Sequence, residues 1–366
     1  MNSLGLYIHV PFCDGKCNYC DFYSFVATSD ELDRYTNILI SQINNWSQKL
    51  NEKYVDTVYF GGGTPSLLGT QRLLKILNHI FNSFKIAPDC EITLEANPSS
   101  GNLLSFAELK NTGFNRVSLG MQTAFDDELK LLGRRHSKAD VINTVESIKK
   151  GGINNISLDV MLGIPQQTAE SLINTLEFCI YLDVNHISTY LLSIEPDTVF
   201  GKNKDNFSFA DDDTQAELYS ITSEHLRAKG FEHYEISNFC KEGKFSRHNM
   251  RYWQLKDYLG LGPSAHSLIN GRRFYYPKNI NEFEKNNYID DGKGGTAEEY
   301  IMLMLRTNKG INTIEYKKRF GKLLSKNFFD KAKLYESNGY IKIDGNSIRL
   351  TEKGYLLSNT IIADLI

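Results

Sequence analysis

Short apolar runs rich in β-branched residues alternate with longer amphipathic stretches over the first two-thirds of the chain. The runs predict strands at 6–10, 57–60, 91–95, 116–121, 156–161 and 187–192, and the stretches between them have the helical period. The first of these helices should cover 29–49, with Ser29 or Asp30 as its N-cap. This spacing predicts an α/β fold with a parallel sheet and right-handed crossovers. Six units favour an open, partial (β/α)6 barrel over a closed eight-stranded one, and a doubly wound sheet stays as an alternative.

The strand–helix rhythm breaks after about residue 230. The segment 231–290 is rich in Tyr, His, Gly and Trp and has no clear period, so we expect an irregular connection there. From about residue 296, helical stretches precede a hairpin whose turn is Gly345-Asn346. These patterns divide the chain into a barrel over 1–230, the irregular segment over 231–290 and a small winged-helix-like domain over 291–366.

The composition is that of an ordinary globular protein. The 366 residues are 41% hydrophobic and 23% charged, with a formal charge of −3 and a pI of about 6.3. This charge gives no general attraction to nucleic acid, and the lysines of the C-terminal domain are mixed with acidic residues, so no nucleic-acid partner is expected. We find no run of about 18 apolar residues and no leader pattern, and therefore expect a cytoplasmic protein without a membrane span.

Three of the six cysteines lie close together, as Cys13-x3-Cys17-x2-Cys20. A disulfide scaffold needs a small, cysteine-dense chain, so one metal site in a reducing compartment is the better interpretation. Thiolates hold iron–sulfur clusters, and three of them leave one iron of a 4Fe–4S cluster open to the amino and carboxylate groups of S-adenosylmethionine (SAM). Zinc is the rival metal, but a structural zinc site would need a fourth Cys or His nearby.

The stretch IHVPFCDGKCNYCDF around these cysteines resembles the start of radical-SAM proteins of the coproporphyrinogen dehydrogenase family, the oxygen-independent oxidases. The resemblance extends over nearly the whole chain. It implies that Tyr7 contacts SAM, and that Gly62, Gly63 and Thr64 belong to a glycine motif that meets the amino group of SAM. Glycines allow a ligand close to the backbone, although a tight turn is the plainer alternative.

Four further residues fall at motif positions of this family: Glu95, Gln122, Arg134 and Asp159. Glu95 and Asp159 have an ordinary structural alternative as strand-end caps, and Arg134 has one as half of a surface ion pair. Most of the motif residues, however, fall at or just past the ends of successive predicted strands, where the sites of α/β proteins are built. The resemblance therefore implies that they meet in one SAM site.

Two features depart from the oxidases of this family. The oxidases have a further cysteine where this chain has Phe22, and an N-terminal extension that is missing here. Together with His248-Asn249-x-x-Tyr252-Trp253, these features resemble the haem chaperone branch called HemW. Imidazole is the usual protein ligand of haem iron, and aromatic faces pack well on a porphyrin. A satisfied structural histidine is an equal alternative for His248.

The resemblance implies a haem chaperone that binds haem, transfers it to an acceptor protein and carries a SAM-coordinated 4Fe–4S cluster. A flavodoxin or a ferredoxin would be the electron donor. The enzymatic alternative is an oxygen-independent coproporphyrinogen-III dehydrogenase, in which radical chemistry decarboxylates propionate side chains. A radical-SAM enzyme that modifies nucleic acid and a binding module without redox chemistry are further alternatives.

Overall fold

Six parallel strands form the centre of the fold in the computed structural model, which describes residues 3–366. The strands are β1 (Ser3–Val10), β2 (Tyr54–Gly62), β3 (Lys85–Ala96), β4 (Arg116–Gln122), β5 (Asn155–Leu162) and β6 (His186–Leu191). The helices between them are α1 (Ser29–Lys49), α2 (Gly69–Ser83), α3 (Phe106–Thr112), α4 (Asp126–Leu131), α5 (Lys138–Lys150) and α6 (Ala169–Tyr181). Each strand pairs in parallel with its successor, which confirms the predicted partial barrel. Met1 and Asn2 of the predicted barrel lie outside the described residues.

Helix α1 begins with a capping box. The side chain of Thr28 accepts a hydrogen bond from the backbone N–H of Glu31, and the Glu31 carboxylate accepts one from the Thr28 N–H at 2.8 Å. The predicted cap at Ser29 or Asp30 is therefore wrong, because Ser29 is already the first helical residue. The apolar face of the helix then packs on the sheet through Tyr35, Ile38, Leu39, Ile43 and Trp46.

The strands of the barrel carry apolar side chains on one face and polar side chains on the other. In β4, Val117 and Leu119 belong to the hydrophobic core, whereas Ser118 and Gln122 line the interior of the barrel. Successive side chains of a strand point to opposite faces, so Arg116 lies on the same inner face as Ser118. The barrel interior is therefore polar, and the apolar core lies between the sheet and the helices.

The segment 231–290 is not irregular, and this prediction is wrong. After the helices α7 (Val199–Lys202) and α8 (Asp212–Ala228), the chain forms β7 (Glu232–Glu235), β8 (Asn238–Cys240), α9 (Arg247–Trp253), β9 (Tyr258–Leu261), β10 (His266–Ile269), β11 (Arg272–Tyr275), α10 (Ile280–Glu284) and β12 (Ile289–Lys293). Strand β8 pairs antiparallel with β6, and β9 pairs in parallel with β1. The sheet thus has twelve strands in the order β12-β11-β10-β9-β1-β2-β3-β4-β5-β6-β8-β7. The added strands are too short to give a visible sequence period.

The C-terminal part forms the expected winged-helix-like unit. Its elements are α11 (Ala297–Met304), β13 (Ile311–Asn312), α12 (Thr313–Phe320), α13 (Lys326–Ser337), β14 (Ile341–Asp344), β15 (Ser347–Leu350), α14 (Glu352–Leu356) and α15 (Ser358–Leu365). The three strands form a separate antiparallel sheet in the order β13-β15-β14. The unit contacts the main sheet region through Arg319, whose guanidinium donates to the carbonyl oxygens of Gln254 and Leu255 at 2.8 and 2.6 Å.

Helix α9 is fixed to the first two strands by a buried arginine. The side chain of Arg251 is 3% exposed and forms an ion pair with Asp56, which is itself 19% exposed. The Arg251 guanidinium also donates to the carbonyl oxygens of Ser3 and Asp257 at 3.0 and 2.7 Å. One side chain therefore joins α9 to β1, to β2 and to the loop before β9.

Replacing Arg251 by Ala should lower the free energy of unfolding by about 3–5 kcal/mol, because Asp56 would keep a largely buried charge without its partner. Denaturant unfolding measures this change. Arg272→Ala is the matched control, since Arg272 and its partner Asp290 are 67% and 52% exposed. An exposed pair contributes little, so this variant should unfold like the parent protein. Equal losses in the two variants would contradict the anchoring role of Arg251.

Candidate cofactor site

A cavity of about 440 Å³ opens where the carboxyl ends of the central strands meet the loop after β1. Parallel strands bring their carboxyl ends to one edge of the sheet, which is why residues far apart in sequence meet there. The predicted site residues that line it are Cys13, Cys17, Cys20, Phe22, Gly62, Gly63, Thr64, Glu95, Gln122, Arg134 and Asp159. Tyr7 and His248 are the two predicted site residues that do not line it.

The glycine motif holds the cysteine loop against the end of β2. The backbone N–H of Gly63 donates to the carbonyl oxygen of Val10 at 2.8 Å, and that of Thr64 donates to the carbonyl oxygen of Phe12 at 2.7 Å. A Cβ atom at Gly63 would lie 2.5 Å from the Phe12 carbonyl oxygen, so a larger residue would push the loop away. Because Gly63 has no Cβ atom, the cysteine loop can lie close to the end of β2.

The three thiols of the loop have different neighbours. Cys13 Sγ lies 3.5 Å from the Thr64 hydroxyl, and Cys17 Sγ accepts a hydrogen bond from the Arg134 guanidinium at 3.7 Å. Burial raises the pKa of the Cys20 thiol. Within residues 3–366, no three His, Cys, Asp or Glu side chains form a group that could hold a single metal ion. In a cubane 4Fe–4S cluster each thiolate binds a different iron. The three sulfur atoms can therefore lie farther apart than the ligands of a single metal ion.

Glu95 and Asp159 are carboxylates in the wall of the cavity. Glu95 accepts hydrogen bonds from the Tyr59 hydroxyl at 2.6 Å and from the Gly62 N–H at 3.3 Å, and Asp159 accepts one from the Ser118 hydroxyl at 3.2 Å. Burial raises the pKa of Glu95 to about 7 and that of Asp159 to about 6. The hydrogen bonds from Tyr59 and Ser188 oppose this effect of burial.

Gln122 and Arg134 lie at the end of β4 and in the loop before α5. Gln122 has a φ of 71°, a left-handed conformation that is uncommon for a residue other than glycine. The Arg134 guanidinium donates to the Gly120 carbonyl oxygen at 2.6 Å and to Asn97 Oδ1 at 2.8 Å, in addition to Cys17. Arg134 therefore links the cysteine loop to the sheet, and is not the surface ion-pair partner that its sequence context allowed.

His248 is a buried histidine whose two ring nitrogens are both engaged. Nδ1 lies 2.8 Å from the Thr57 hydroxyl and Nε2 lies 2.8 Å from the Tyr252 hydroxyl. Burial lowers the pKa of His248 to about 3, so the ring is neutral. Tyr7 is also turned inward, with its hydroxyl 3.0 Å from His9 Nδ1. The structure thus favours the structural alternative for His248 over a role as a haem ligand.

The polar residues of the cavity wall that were not predicted include Asn97, Ser118 and Tyr190. The sequence signal for Ser118 was present in β4, which reads RVSLGMQ. Every second residue of this strand is polar or glycine, although a strand buried on both faces usually reads as continuously apolar. That alternation marks an inner polar face, which a search for apolar runs overlooks.

Comparisons with known proteins agree with this geometry. The family model of the radical SAM superfamily matches residues 7–179, and that of the HemN C-terminal domain matches residues 296–357. The haem chaperone HemW of Bacillus subtilis is 35% identical, over 97% of this chain and 97% of its own length. This chain belongs to the HemW family. Another HemW protein, from Buchnera aphidicola subsp. Schizaphis graminum, is 33% identical over 98% of this chain and 97% of its own length.

The chain is also similar to a mammalian protein and to a solved structure of the same fold. The mouse protein, radical S-adenosyl methionine domain-containing protein 1, mitochondrial, is 30% identical over 99% of this chain and 87% of its own length. The structure of coproporphyrinogen III oxidase (HemN) from Escherichia coli superimposes with a TM-score of 0.84 at 21% identity. The superposition covers 100% of this chain and 90% of the oxidase, which confirms the radical-SAM fold.

Replacing His248 by Ala should lower the free energy of unfolding by about 2–4 kcal/mol. The substitution leaves a cavity and deprives the hydroxyls of Thr57 and Tyr252 of their partner. His266→Ala is the control, because His266 is an exposed histidine and its loss should change stability little. Denaturant unfolding distinguishes the two variants. A His248 variant as stable as the parent protein would contradict the structural role of these two hydrogen bonds.

Proposed function

We propose that this protein is a haem chaperone, which binds haem, transfers it to an acceptor protein and carries a 4Fe–4S cluster coordinated by SAM. The observation that carries the proposal is the cavity in which Cys13, Cys17 and Cys20 lie beside a glycine backbone and two carboxylates. Relatives of nearly the same length are named haem chaperones, and this supports the haem part of the proposal.

The cavity has the size and the chemical groups that a cluster with SAM would need. The three thiolates would hold the cluster and leave one iron for SAM. Small-molecule pockets have volumes of about 300–1,000 Å³, and this cavity lies within that range. Glu95 and Asp159 would attract the positively charged groups of SAM. When bound, the reduced cluster supplies an electron to the sulfonium of SAM.

The other proposed SAM contacts rest on the family resemblance. Gly62, Gly63 and Thr64 would present their backbone to the methionine part of SAM, and Gln122 and Arg134 would contact it from the end of β4 and from the loop before α5. These side chains line the same cavity as the cysteines, which supports the assignment. Tyr7 does not line it and would support the wall through its contact with His9.

Phe22 is the residue proposed to contact haem. Its side chain is 63% exposed and lines the cavity. An exposed aromatic face packs well on a flat macrocycle. The oxidases of the wider family are expected to have a cysteine at this position, which this chain lacks. His248 would stabilise the interior through its two hydrogen bonds and would not bind the haem iron.

The proposal extends to partners and location. We propose a protein acceptor for haem, a flavodoxin or ferredoxin as electron donor, a cytoplasmic location and no nucleic-acid partner. No helix within residues 3–366 combines the length and the apolar character that crossing a bilayer requires. The proposed C-terminal domain, 291–366, contains the whole match to the HemN C-terminal domain.

Anaerobically purified protein should contain about four irons per chain, as a 4Fe–4S cluster requires. Cys13→Ala, Cys17→Ala and Cys20→Ala should each lose the brown chromophore. Cys179→Ala is the matched control, because this thiol is fully buried outside the cavity, and it should keep the chromophore. Iron and sulfide analysis with visible absorption measures the outcome. Zinc in place of iron, or loss of the cluster from Cys179→Ala alone, would overturn the cluster assignment.

Haem and coproporphyrinogen III, offered in parallel with SAM and a reductant under anaerobic conditions, should distinguish the two functions. The protein should bind about one haem per chain, seen as a Soret band, and leave coproporphyrinogen III unchanged. Phe22→Ala should weaken the band, whereas His248→Ala should leave its position unchanged. Protoporphyrinogen IX and carbon dioxide formed with turnover would replace the chaperone proposal by a coproporphyrinogen-III dehydrogenase.

A further inference from the structure

A second cavity, of about 460 Å³, lies between the C-terminal unit and the main sheet region. Lys256, in the loop between α9 and β9, lines it from the sheet side. Residues of α11, of α12 and of the loop before β13 line it from the other side. The volume lies in the range of small-molecule pockets, so a ligand of that size would fit.

The two cavities lie at different ends of the sheet. Strand β9 runs parallel to β1, and the loop that carries Lys256 precedes it, so this loop lies at the amino end of β9. The cofactor cavity lies at the carboxyl ends of the strands and shares no lining residue with the second cavity. The second cavity is therefore a separate site and not an extension of the first.

Arg319, near the end of α12, is fixed in the wall of this second cavity on two sides. Its guanidinium donates to the carbonyl oxygens of Gln254 and Leu255 at 2.8 and 2.6 Å. The guanidinium carbon also lies 5.2 Å from the centroid of the Tyr300 ring and 5.5 Å from that of Phe320. These contacts hold a cation in place before a ligand arrives, which lowers the entropy cost of binding. The planar donor groups of a guanidinium match carboxylate and phosphate oxygens.

The wall carries an excess of positive charge. Lys256, Lys309 and Arg319 line the cavity, and Glu315 is the one carboxylate among the lining residues that the structure describes. The excess is two positive charges. Water can solvate these cations but cannot neutralise them, and a cleft with one sign of charge concentrates ions of the opposite sign.

The carboxylates just outside the wall are engaged by other cations. Asp56 attracts Lys256, but it forms an ion pair with the buried Arg251. Asp257 attracts Arg319, but it forms an ion pair with the lysine that precedes β2. The positive charge of the wall is therefore available to a ligand.

The ammonium group of Lys256 shows the effect of this excess charge. Burial lowers its pKa, and the positive charges of Arg251, Arg247 and Lys309 lower it further, whereas Asp56 raises it. An anion bound beside Lys256 would favour the charged form and so offset the repulsion.

We propose that this cavity binds a small organic dianion, either a phosphate monoester or a dicarboxylate, with Lys256, Lys309 and Arg319 as its charge partners. Two negative charges balance the excess in the wall. The buried side chains of Tyr300 and Met304 also line the cavity and offer apolar surface to the body of the ligand. The cluster, SAM and haem have no part in this site, so the proposal does not depend on the proposed function.

A bound dianion would connect two parts of the molecule. Lys256 belongs to the main sheet region, whereas Lys309 and Arg319 belong to the C-terminal unit. A ligand held from both sides stabilises the folded state in which the two parts meet. Binding therefore adds to the contact that Arg319 makes between them.

Calorimetry on the full chain, at about pH 7 and constant low ionic strength, tests the proposal with phenyl phosphate, phthalate and inorganic phosphate as probes. Phenyl phosphate or phthalate should bind at about one site per chain, and the tighter of the two identifies the anionic group. Inorganic phosphate should bind more weakly, because it has no apolar body. No binding of either organic probe at about 10 mM would overturn the proposal. Inorganic phosphate that binds as tightly as both would overturn the claim of an organic ligand.

Lys256→Gln and Lys309→Gln should each weaken binding about tenfold, because each removes a hydrogen bond between charged groups. Glu315→Gln should strengthen binding about threefold, because it removes the carboxylate that repels the ligand. Lys333→Gln is the matched control, since Lys333 is an exposed lysine of α13 outside the cavity, and it should bind the probes as the parent does. Unchanged affinity in both cavity lysine variants would overturn the proposal.

Thermal unfolding distinguishes a binding role of the two lysines from a structural one. Without a probe, Lys256→Gln and Lys309→Gln should unfold at or above the midpoint of the parent, because each relieves repulsion between positive charges. With the organic probe that binds, the midpoint should rise in the parent and rise less in the variants. A lower midpoint in both variants without a probe would show that the lysines support the fold, and would overturn their role as ligand partners.

Duplex DNA is the control polyanion, because α12 belongs to a winged-helix-like unit. It should not bind at the salt concentration at which the organic probe binds. A salt-sensitive complex with DNA that Lys256→Gln and Lys309→Gln abolish, in protein that binds neither organic probe, would replace the small dianion by nucleic acid.

Discussion

The polar interior of the barrel is the constraint on which the rest of the structure depends. Buried polar groups must find partners, since an unsatisfied one is costly. Helix α9 provides several of them at once, because its first N–H groups bind Glu91 and its His248 ring binds Thr57 and Tyr252. Arg251 in turn holds this helix in place. Helix α9 thereby packs at the amino ends of β1 and β2. The cavity residues lie at the opposite, carboxyl ends of the strands.

The cysteine loop takes its shape from the sheet and not from its own secondary structure. Gly63 and Thr64 hold its first part by backbone hydrogen bonds, and Arg134 reaches Cys17 from the other side. Asn18 adds contacts with the carbonyl oxygens of Leu131 and Leu132. Since these contacts come from the end of β2 and from residues 131–134, the loop takes this shape only when the elements from β1 to α4 are in place.

The sequence predicts the barrel and about half of the residues that line the cavity, because both leave local signals. Strand–helix alternation fixes which ends of the strands meet, and motif residues such as Glu95 and Asp159 therefore fall together. The pairing of β9 with β1 leaves no such signal, since it joins residues about 250 positions apart through a strand of four residues. The environment of His248 depends on the same long-range packing. The sequence around His248 could not distinguish a haem ligand from a buried imidazole ring whose two nitrogens are hydrogen-bonded.

The central position of β1 bears on how the chain folds during synthesis. This strand precedes all the others, yet it pairs with β2 on one side and with β9, at Tyr258–Leu261, on the other. Until the ribosome has released the second half of the chain, one edge of β1 stays unpaired, and the cysteine loop follows directly from it. An unpaired edge is open to pairing with other chains. The nascent barrel is therefore the stage most open to aggregation.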